Sequence, residues 1–167
     1  DVAGTYPLPV AQLDRFLFKV RMDYIDRDSE IEVLTTREER MERPSEEEFP
    51  KVLRAEVLES RKLIEESVHV SPAVYECLVD IARGIRNSPK VIQGISTRSL
   101  VLIVPALKAA AVMRGRDFVS GEDVQWLAPY VFAHRLGPGP GVEDSEEIVS
   151  ECLKAPLETL SRSTLKP

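Results

Sequence analysis

The chain has 167 residues, enough for one domain or for one domain with part of another. Hydrophobic residues make up 43%, charged residues 30% and aromatic residues only 6%, which is typical of a globular protein whose core is aliphatic and helical. The net charge of −6 at pH 7 argues against a DNA-binding helical domain, because contacts to phosphates need a positive surface.

The first predicted elements are short. Residues 1–9 form a loop rich in Gly and Pro, and a helical stretch follows at residues 10–16. Residues 17–22 (LFKVRM) alternate between apolar and polar side chains, which predicts a strand. Because a single strand is not stable alone, we expect its partners in sequence upstream of this chain or in a neighbouring molecule. A domain that opens in this way is expected to be cut from a longer protein.

Two helices are predicted on either side of a strongly charged segment. Asp26 is a suitable N-cap for a helix that runs through Leu34. Residues 35–48 are almost wholly charged, which indicates a solvated loop or a frayed helix end. A second helix is predicted from about Val52 to Glu66. Its apolar face comprises Leu53, Val57, Leu58, Leu63 and Ile64.

A helical domain is predicted for the rest of the chain. The helix over 71–87 begins with Ser71 as N-cap and proline at the first helical position. Its apolar residues at three- and four-residue spacing are Tyr75, Leu78, Val79, Ala82 and Ile85. Ser96 or Thr97 caps a long apolar helix that runs to Met113, with a bend expected at Pro105.

The last two helices are predicted from their capping residues and from a glycine-rich break. Residues 120–123 (SGED) resemble a capping box with Asp in place of Glu. The break GPGPG at 137–141 ends the helix that they start. A final helix is predicted over about 144–154, and the residues after it are expected to form a tail.

Composition and pattern indicate no catalytic or metal site. No lysine follows a glycine, so the phosphate-binding loop GxxxxGK[ST] is absent, and no four closely spaced metal ligands occur. Cys77 and Cys152 lie in apolar patterns and are interpreted as small hydrophobic residues in a reducing compartment. For His69 and His134 a structural role is favoured. The most apolar run, 99–113, is shorter than the ~20 residues of a membrane span.

Two long segments resemble a known family. GTYPLPVAQLDRFLFKVRMDY at 4–24 resembles the signature that follows the first sensor motif of MoxR-family AAA+ ATPases, whose usual wording is close to GTYPLPEAQLDRF. The segment 94–136, from GISTR to AHRL, resembles the second-sensor helix of that family and the stretch after it. Residues 67–89 match the family's lid. The resemblance covers about residues 4–136, and two long motifs at compatible spacing are more specific than one short motif.

The resemblance implies a mainly α fold. It implies a helical-bundle AAA+ lid domain preceded by a short strand/helix remnant of the α/β ATPase core. The expected domains are residues 1–25, the end of the core with the arginine-finger segment; residues 26–136, the helical lid; and residues 137–167, a C-terminal helix and tail. The chain is thus expected to be a C-terminal fragment of such an ATPase.

The resemblance also assigns roles to three residues. Arg15, in LDRF, matches the arginine finger that would stabilise charge on the γ-phosphate in the neighbouring subunit. Asp14 would orient that arginine or pair across the interface. Without the resemblance, Arg15 would be interpreted as a helix-end salt bridge with Asp14. Arg98, in GISTR, matches the second-sensor arginine, and its alternative is a solvated arginine in a capping turn. Gly94 and Ser96 are interpreted as conformational residues of that turn.

Three further positions are weighed against the family pattern. Val10 stands where the family usually has Glu, so a contact made by that carboxylate in relatives would be missing here. For Arg114 and Arg116, surface or intersubunit salt bridges are favoured over a direct role at the nucleotide.

The expected parent is an ATP-hydrolysing, chaperone-like ring, commonly a hexamer, that uses ATP and Mg²⁺. The fragment alone is expected to bind neither cofactor and to be inactive. Von Willebrand A-domain proteins are the expected partners, with no nucleic acid and no membrane span, and the expected location is the cytoplasm. The alternative is a helical protein-interaction or adaptor domain that does not bind nucleotide.

Overall fold

Helices dominate the chain, as its composition predicts. A computed structural model describes residues 10–41, 50–142 and 144–164. Its helices are α1 (Val10–Leu13), α2 (Arg27–Thr35), α3 (Arg37–Met41), α4 (Arg54–Ser67), α5 (Pro72–Asn87), α6 (Thr97–Met113), α7 (Gly121–Phe132) and α8 (Ser145–Thr164), with a 3₁₀ turn at Ala133–Arg135. The predicted opening loop, the second half of the charged segment (residues 42–48) and the last three residues lie outside the described residues, as does the side chain of Val10.

The chain divides by its internal contacts into two compact units, residues 20–61 and residues 1–19 together with 62–167. In the smaller unit, Asp26 caps α2 as predicted. Its carboxylate accepts hydrogen bonds from the main-chain N–H groups of Asp28 and Ser29 at 3.1 and 3.0 Å. The structure adds the short helix α3 where a frayed helix end was one of the two expectations. The predicted domain boundaries at 25 and 136 stay a prediction.

The apolar face predicted for α4 is not buried. The helix forms where expected but buries no residue. Ile64, near the C-terminal end of α4, packs against the core of the larger unit. The spacing of the apolar residues identifies which side of α4 is apolar, but it does not indicate whether another element packs against that side. The exposed members are Leu53, Val57, Leu58 and Leu63.

The core of the larger unit lies among α5, α6, α7 and α8, with apolar side chains from all four helices. Helix α5 begins at Pro72 after Ser71 and ends at Asn87, as predicted. Its buried stripe differs from the predicted one, because Tyr75 and Val79 are exposed. The residues of α5 that are buried are Val74, Cys77, Leu78, Ile81, Ala82 and Ile85.

Helix α6 follows the predicted bounds, with Ser96 as N-cap and Pro105 inside it. Its one internal charge, Lys108, is buried at 7% exposure in an apolar run. The Nζ atom of Lys108 donates to the main-chain oxygen of Glu65 at 2.7 Å and to the Glu65 carboxylate at 2.8 Å. These acceptors lie in the last turn of α4, where the carbonyl groups of a helix attract a cation. The ammonium group is therefore buried but paired.

Helix α8 ends ten residues later than predicted. It runs through Pro156 to Thr164, so the expected tail after Lys154 is wrong over most of its length. The extension is held by apolar burial, because Leu160 is only 5% exposed. A Cβ at Gly121 would lie 3.4 Å from Leu160, which shows how closely α8 packs against the first turn of α7.

The strand predicted over 17–22 does not form, because no described segment pairs with it. A short antiparallel pair forms elsewhere, between β1 (Val91–Gln93) and β2 (Gly137–Pro138). It joins the loop before α6 to the glycine-rich break. A Cβ at Gly137 would lie only 3.0 Å from Gln93, so glycine allows the two strands to approach.

Both cysteines are free, and Cys77 is buried within the core, as expected of a small hydrophobic residue. Burial, with a contribution from the carboxylate of Asp80, raises the pKa of the Cys77 thiol to about 11. Among the helices that the structure describes, none combines the length and the apolar character needed to cross a bilayer.

Candidate functional site

The turn before α6 places Arg98 in the first turn of that helix. Gly94 packs against Arg86, and a Cβ at position 94 would lie 2.6 Å from Cγ of Arg86. The Nε atom of Arg86 donates to the main-chain oxygen of Ile95 at 2.9 Å, which fixes the turn. Ser96 then caps the helix. Gly94 and Ser96 therefore set the conformation of the turn, and the Arg98 side chain remains 65% exposed.

Arg15 lies in a turn that follows α1. Its main-chain N–H donates to the oxygen of Gln12 at 3.2 Å, and that of Phe16 donates to Leu13 at 3.1 Å. The side chain of Arg15 is exposed and makes no hydrogen bond or ion pair with the part of the chain that is described. The helix-end salt bridge with Asp14, which was the alternative interpretation, is not among its contacts. Among the described residues, therefore, none occupies the Arg15 guanidinium.

Asp14 contacts two other arginines instead of Arg15. Its Oδ1 accepts a hydrogen bond from Nε of Arg135 at 3.2 Å. Its Oδ2 lies 4.0 Å from Nε of Arg98, at the outer limit of an ion pair. The structure therefore brings Asp14 and Arg98 together at one place, although 84 positions separate them in the sequence. The carboxylate is 28% exposed.

Arg135 is a member of this cluster to which the sequence analysis gave no role. Its side chain is 1% exposed, and its guanidinium donates to Asp14, to the main-chain oxygen of Phe16 at 2.5 Å, to that of Leu17 at 3.2 Å and to that of Val131. Burial lowers the pKa of Arg135, and the charge of Asp14 opposes this effect. In the sequence, Arg135 was visible only as a charge three residues after Phe132 and as part of AHRL, the end of the segment that resembles the family.

His134 has the structural role that was favoured for it. Its Nε2 donates to the main-chain oxygen of Phe16 at 2.9 Å, which requires the Nε2–H tautomer. Its Nδ1 is buried and has no hydrogen-bond partner within the described residues. Burial, reinforced by the positive charge of Arg135, lowers the pKa of His134, so the neutral ring is favoured.

A second charged cluster lies at the start of α7. Asp123 is fully buried and accepts from Arg114 at 2.5 Å and from Arg116 at 2.8 and 2.7 Å. The same carboxylate accepts from the N–H of Ser120 at 2.9 Å, as the predicted capping box requires. The guanidinium of Arg114 also stacks 4.5 Å from the centre of the Trp126 ring. Both arginines therefore make salt bridges within the chain.

The residues around Asp14 suit a phosphate ligand better than a metal ion. Two exposed arginines, Arg15 and Arg98, carry permanent charges and planar donor groups that match phosphate oxygens. By contrast, the described residues contain no group of three His, Cys, Asp or Glu side chains that could hold a metal ion. A groove of about 790 Å³ beside His69 and Leu157 includes none of the three predicted site residues.

Comparisons with known proteins agree with the fold and with the sequence motifs. The family model of the AAA lid domain matches residues 83–152, which include Arg98, Asp123 and Arg135. A crystal structure from Cytophaga hutchinsonii, whose ATPase designation is provisional, superposes with a TM-score of 0.78 at 26% identity. The superposition covers 92% of this chain and 50% of that one.

Three curated proteins are similar to this chain in sequence. The chain is 34% identical to the uncharacterized protein YeaC of Bacillus subtilis over 99% of its own length and 52% of that protein. It is 31% identical to the chaperone MoxR1 of Mycobacterium tuberculosis, over 80% of this chain and 36% of that protein. It is 28% identical to the protein MoxR of Methylorubrum extorquens, over 93% and 50%. The chain thus spans about half the length, or less, of these relatives.

Proposed function

Because the chain belongs to the MoxR family of AAA+ ATPases, we propose that it contributes two arginines to ATP hydrolysis by a ring of subunits. Arg15 acts on the nucleotide of the neighbouring subunit, and Arg98 acts on the nucleotide of its own subunit. The observation that carries this proposal is the environment of Arg15. Its side chain is exposed and unpaired with the described residues, whereas the main chain next to it is hydrogen-bonded to the lid.

The chemistry of phosphoryl transfer explains why an arginine is needed at position 15. Charge is spread over the oxygens of the γ-phosphoryl group in the transition state, and catalysis depends on placing positive charge against them. A guanidinium is always protonated and can donate two parallel hydrogen bonds to phosphate oxygens. Asp14 does not touch the Arg15 side chain, so its orienting effect operates through the turn that contains both residues.

Arg98 is proposed to contact the phosphates from the first turn of α6. The first N–H groups of a helix have no intrahelical acceptors and favour an anion. The side chain of Arg98 is mostly exposed, and its 4.0 Å approach to Asp14 is a weak, partly solvated interaction. A bound phosphate can therefore replace Asp14 as the partner of Arg98 at little cost.

The proposal includes the cofactors and partners of the whole ATPase. ATP and Mg²⁺ bind in the parent at residues that lie outside this chain, while the chain supplies cations to the phosphates. The parent is a cytoplasmic, chaperone-like ring, proposed as a hexamer, and von Willebrand A-domain proteins are its proposed partners. The adaptor alternative gives no reason for an exposed Arg15 without a partner among the described residues, or for a lid-type turn at Arg98.

Steady-state turnover and ATP affinity of the parent test the proposal. Arg15→Ala should lower kcat by about a hundredfold or more, since arginine fingers contribute about 10³–10⁵-fold, while ATP affinity stays within about threefold. Arg98→Ala should weaken ATP affinity by about tenfold, the effect of about 1.4 kcal/mol. The 167-residue chain alone should show no turnover.

The matched control is Arg162→Ala in α8, because Arg162 is 81% exposed and pairs only weakly with Glu158 at 3.8 Å. It removes one positive charge without any proposed role and should leave turnover and affinity unchanged. Turnover of Arg15→Ala within twofold of the wild type would remove the support for the finger.

A further inference from the structure

The buried Arg135 makes most of its hydrogen bonds outside its own helical region. Of its four acceptors, Val131 belongs to α7, whereas Asp14, Phe16 and Leu17 belong to the turn around Arg15. Burying a guanidinium is costly unless its donors are satisfied. Three of the four acceptors that offset this cost belong to Asp14, Phe16 and Leu17, which lie within two positions of Arg15.

Two further hydrogen bonds fasten the same segment to the same part of the lid. The Nε2 of His134 donates to the main-chain oxygen of Phe16 at 2.9 Å. The main-chain N–H of Lys19 donates to the oxygen of Tyr130 at 3.1 Å. The end of α7 and the 3₁₀ turn after it therefore hold residues 14–19 on both sides of Phe16.

The side chain of Arg15 takes no part in these contacts. It is exposed, while Asp14 before it and Phe16 after it are fixed by Arg135. This arrangement fixes the backbone on both sides of Arg15 and leaves the Arg15 guanidinium exposed. Precise placement matters for such a group, because a shift of about 1 Å at a reacting centre can cost about 10²-fold in rate.

We propose that Arg135 is a positioning residue that holds the turn of Arg15 against the lid, so that Arg15 meets the γ-phosphate of the neighbouring subunit. This inference rests on the proposed function and identifies the group through which the lid of one subunit controls hydrolysis in the next. Asp14 and the carbonyl groups of Phe16 and Leu17 transmit the effect. Arg135 itself does not touch the nucleotide.

Turnover of Arg135 variants in the parent ring gives the first test. Arg135→Gln and Arg135→Lys should both lower kcat by about tenfold or more and leave KM for ATP within about twofold, because placement in the transition state is lost and binding is not. Lysine keeps the charge but lacks the planar fork that reaches several acceptors. Full kcat in Arg135→Lys would overturn the proposal.

Mixed rings show in which subunit Arg135 acts. Arg135→Gln subunits are assembled with subunits that have a defective phosphate-binding loop but an intact Arg15. Turnover should recover to the level reached when Arg15→Ala subunits are mixed with the same partner, because the intact fingers then face the intact nucleotide sites. If Arg15→Ala recovers and Arg135→Gln does not, the positioning role is overturned and the finger stands. If Arg15→Ala does not recover, the finger and the positioning role both fall.

Two further variants separate a loss of positioning from a loss of folding as the reason for reduced turnover in Arg135→Gln. Asp14→Ala removes one acceptor of Arg135 at a partly exposed position and should show the same recovery in mixed rings, so it gives the result if Arg135→Gln does not fold. Arg116→Gln is the matched control, because Arg116 is another largely buried arginine, bonded to Asp123. It should lower thermal stability and leave kcat of the folded ring unchanged. A loss of kcat as large as that of Arg135→Gln would overturn the proposal.

Discussion

At the scale of single residues, Asp123 is the charge whose surroundings are most clearly defined. It is fully buried, and burial alone would raise its pKa. Hydrogen bonds from Arg116, from the N–H of Ser120 and from Arg114 outweigh burial and lower the pKa of Asp123 from 3.8 to about 2. The carboxylate therefore joins the start of α7 to the connector that precedes it.

The lowered pKa of Asp123 predicts a dependence of stability on pH. A group with a lowered folded-state pKa stabilises the fold above its unfolded value of 3.8, and this contribution is lost as pH falls from 3.8 towards 2. Asp123→Asn should lower the free energy of unfolding at pH 7 by about 2–4 kcal/mol, because two arginines lose the negative charge with which they pair. It should also flatten the pH dependence in this window. Urea unfolding followed by circular dichroism between pH 7 and pH 2.5 measures both effects.

The matched control is Asp28→Asn on the smaller unit, where the carboxylate is 91% exposed and pairs with Arg27 at 3.4 Å. Exposed pairs contribute at most about 1 kcal/mol, so the control should keep the wild-type pH dependence. Equal behaviour of the two variants would contradict the assignment to Asp123.

Local sequence rules could predict the contact between Asp123 and Ser120 but not the contacts of Asp123 with the two arginines. The bond between Asp123 and the N–H of Ser120 spans three residues and follows from the capping box. The convergence of Arg114 and Arg116 on the same carboxylate was not predicted. It depends on the tight turn between them, where Gly115 has a φ of 71°.

At the scale of secondary-structure elements, predictions of helix starts were more reliable than predictions of what each helix buries. The starts at Asp26, Ser71, Ser96 and Ser120 follow capping residues and are confirmed. Apolar residues cover more than half of the circumference of α5, so periodicity could not select the stripe that contains Cys77 over the one that contains Tyr75.

The C-terminal extension of α8 makes a prediction about stability. Leu160→Ala should lower the free energy of unfolding by about 2–4 kcal/mol, because a buried leucine is lost beside Gly121. The matched control is Leu53→Ala, since Leu53 is 62% exposed, and it should change stability by less than about 0.5 kcal/mol. Chemical denaturation of the chain measures both. An effect of Leu160→Ala as small as that of the control would show that residues after Lys154 do not support the fold.

At the scale of the whole molecule, the fold brings together residues that the sequence keeps far apart. Arg135 and Asp14 are separated by 121 positions, and no periodicity or motif spacing indicates that they meet. The family resemblance assigned Arg15 and Arg98 one at a time. Only the fold shows that Asp14 lies between Arg98 and Arg135. This arrangement gives the lid a physical connection to the turn that carries the proposed finger.

Turnover by mixed rings of the parent tests most directly the central claim that Arg15 serves the nucleotide of another subunit. Arg15→Ala subunits and subunits with a defective phosphate-binding loop are each inactive alone and are mixed in equal amounts. In a head-to-tail ring assembled at random, about a quarter of the interfaces combine an intact site with an intact finger. If Arg15 acts on the neighbouring subunit, turnover per subunit should recover to about a quarter of the wild-type value. Turnover that stays at the level of the separate variants would contradict it.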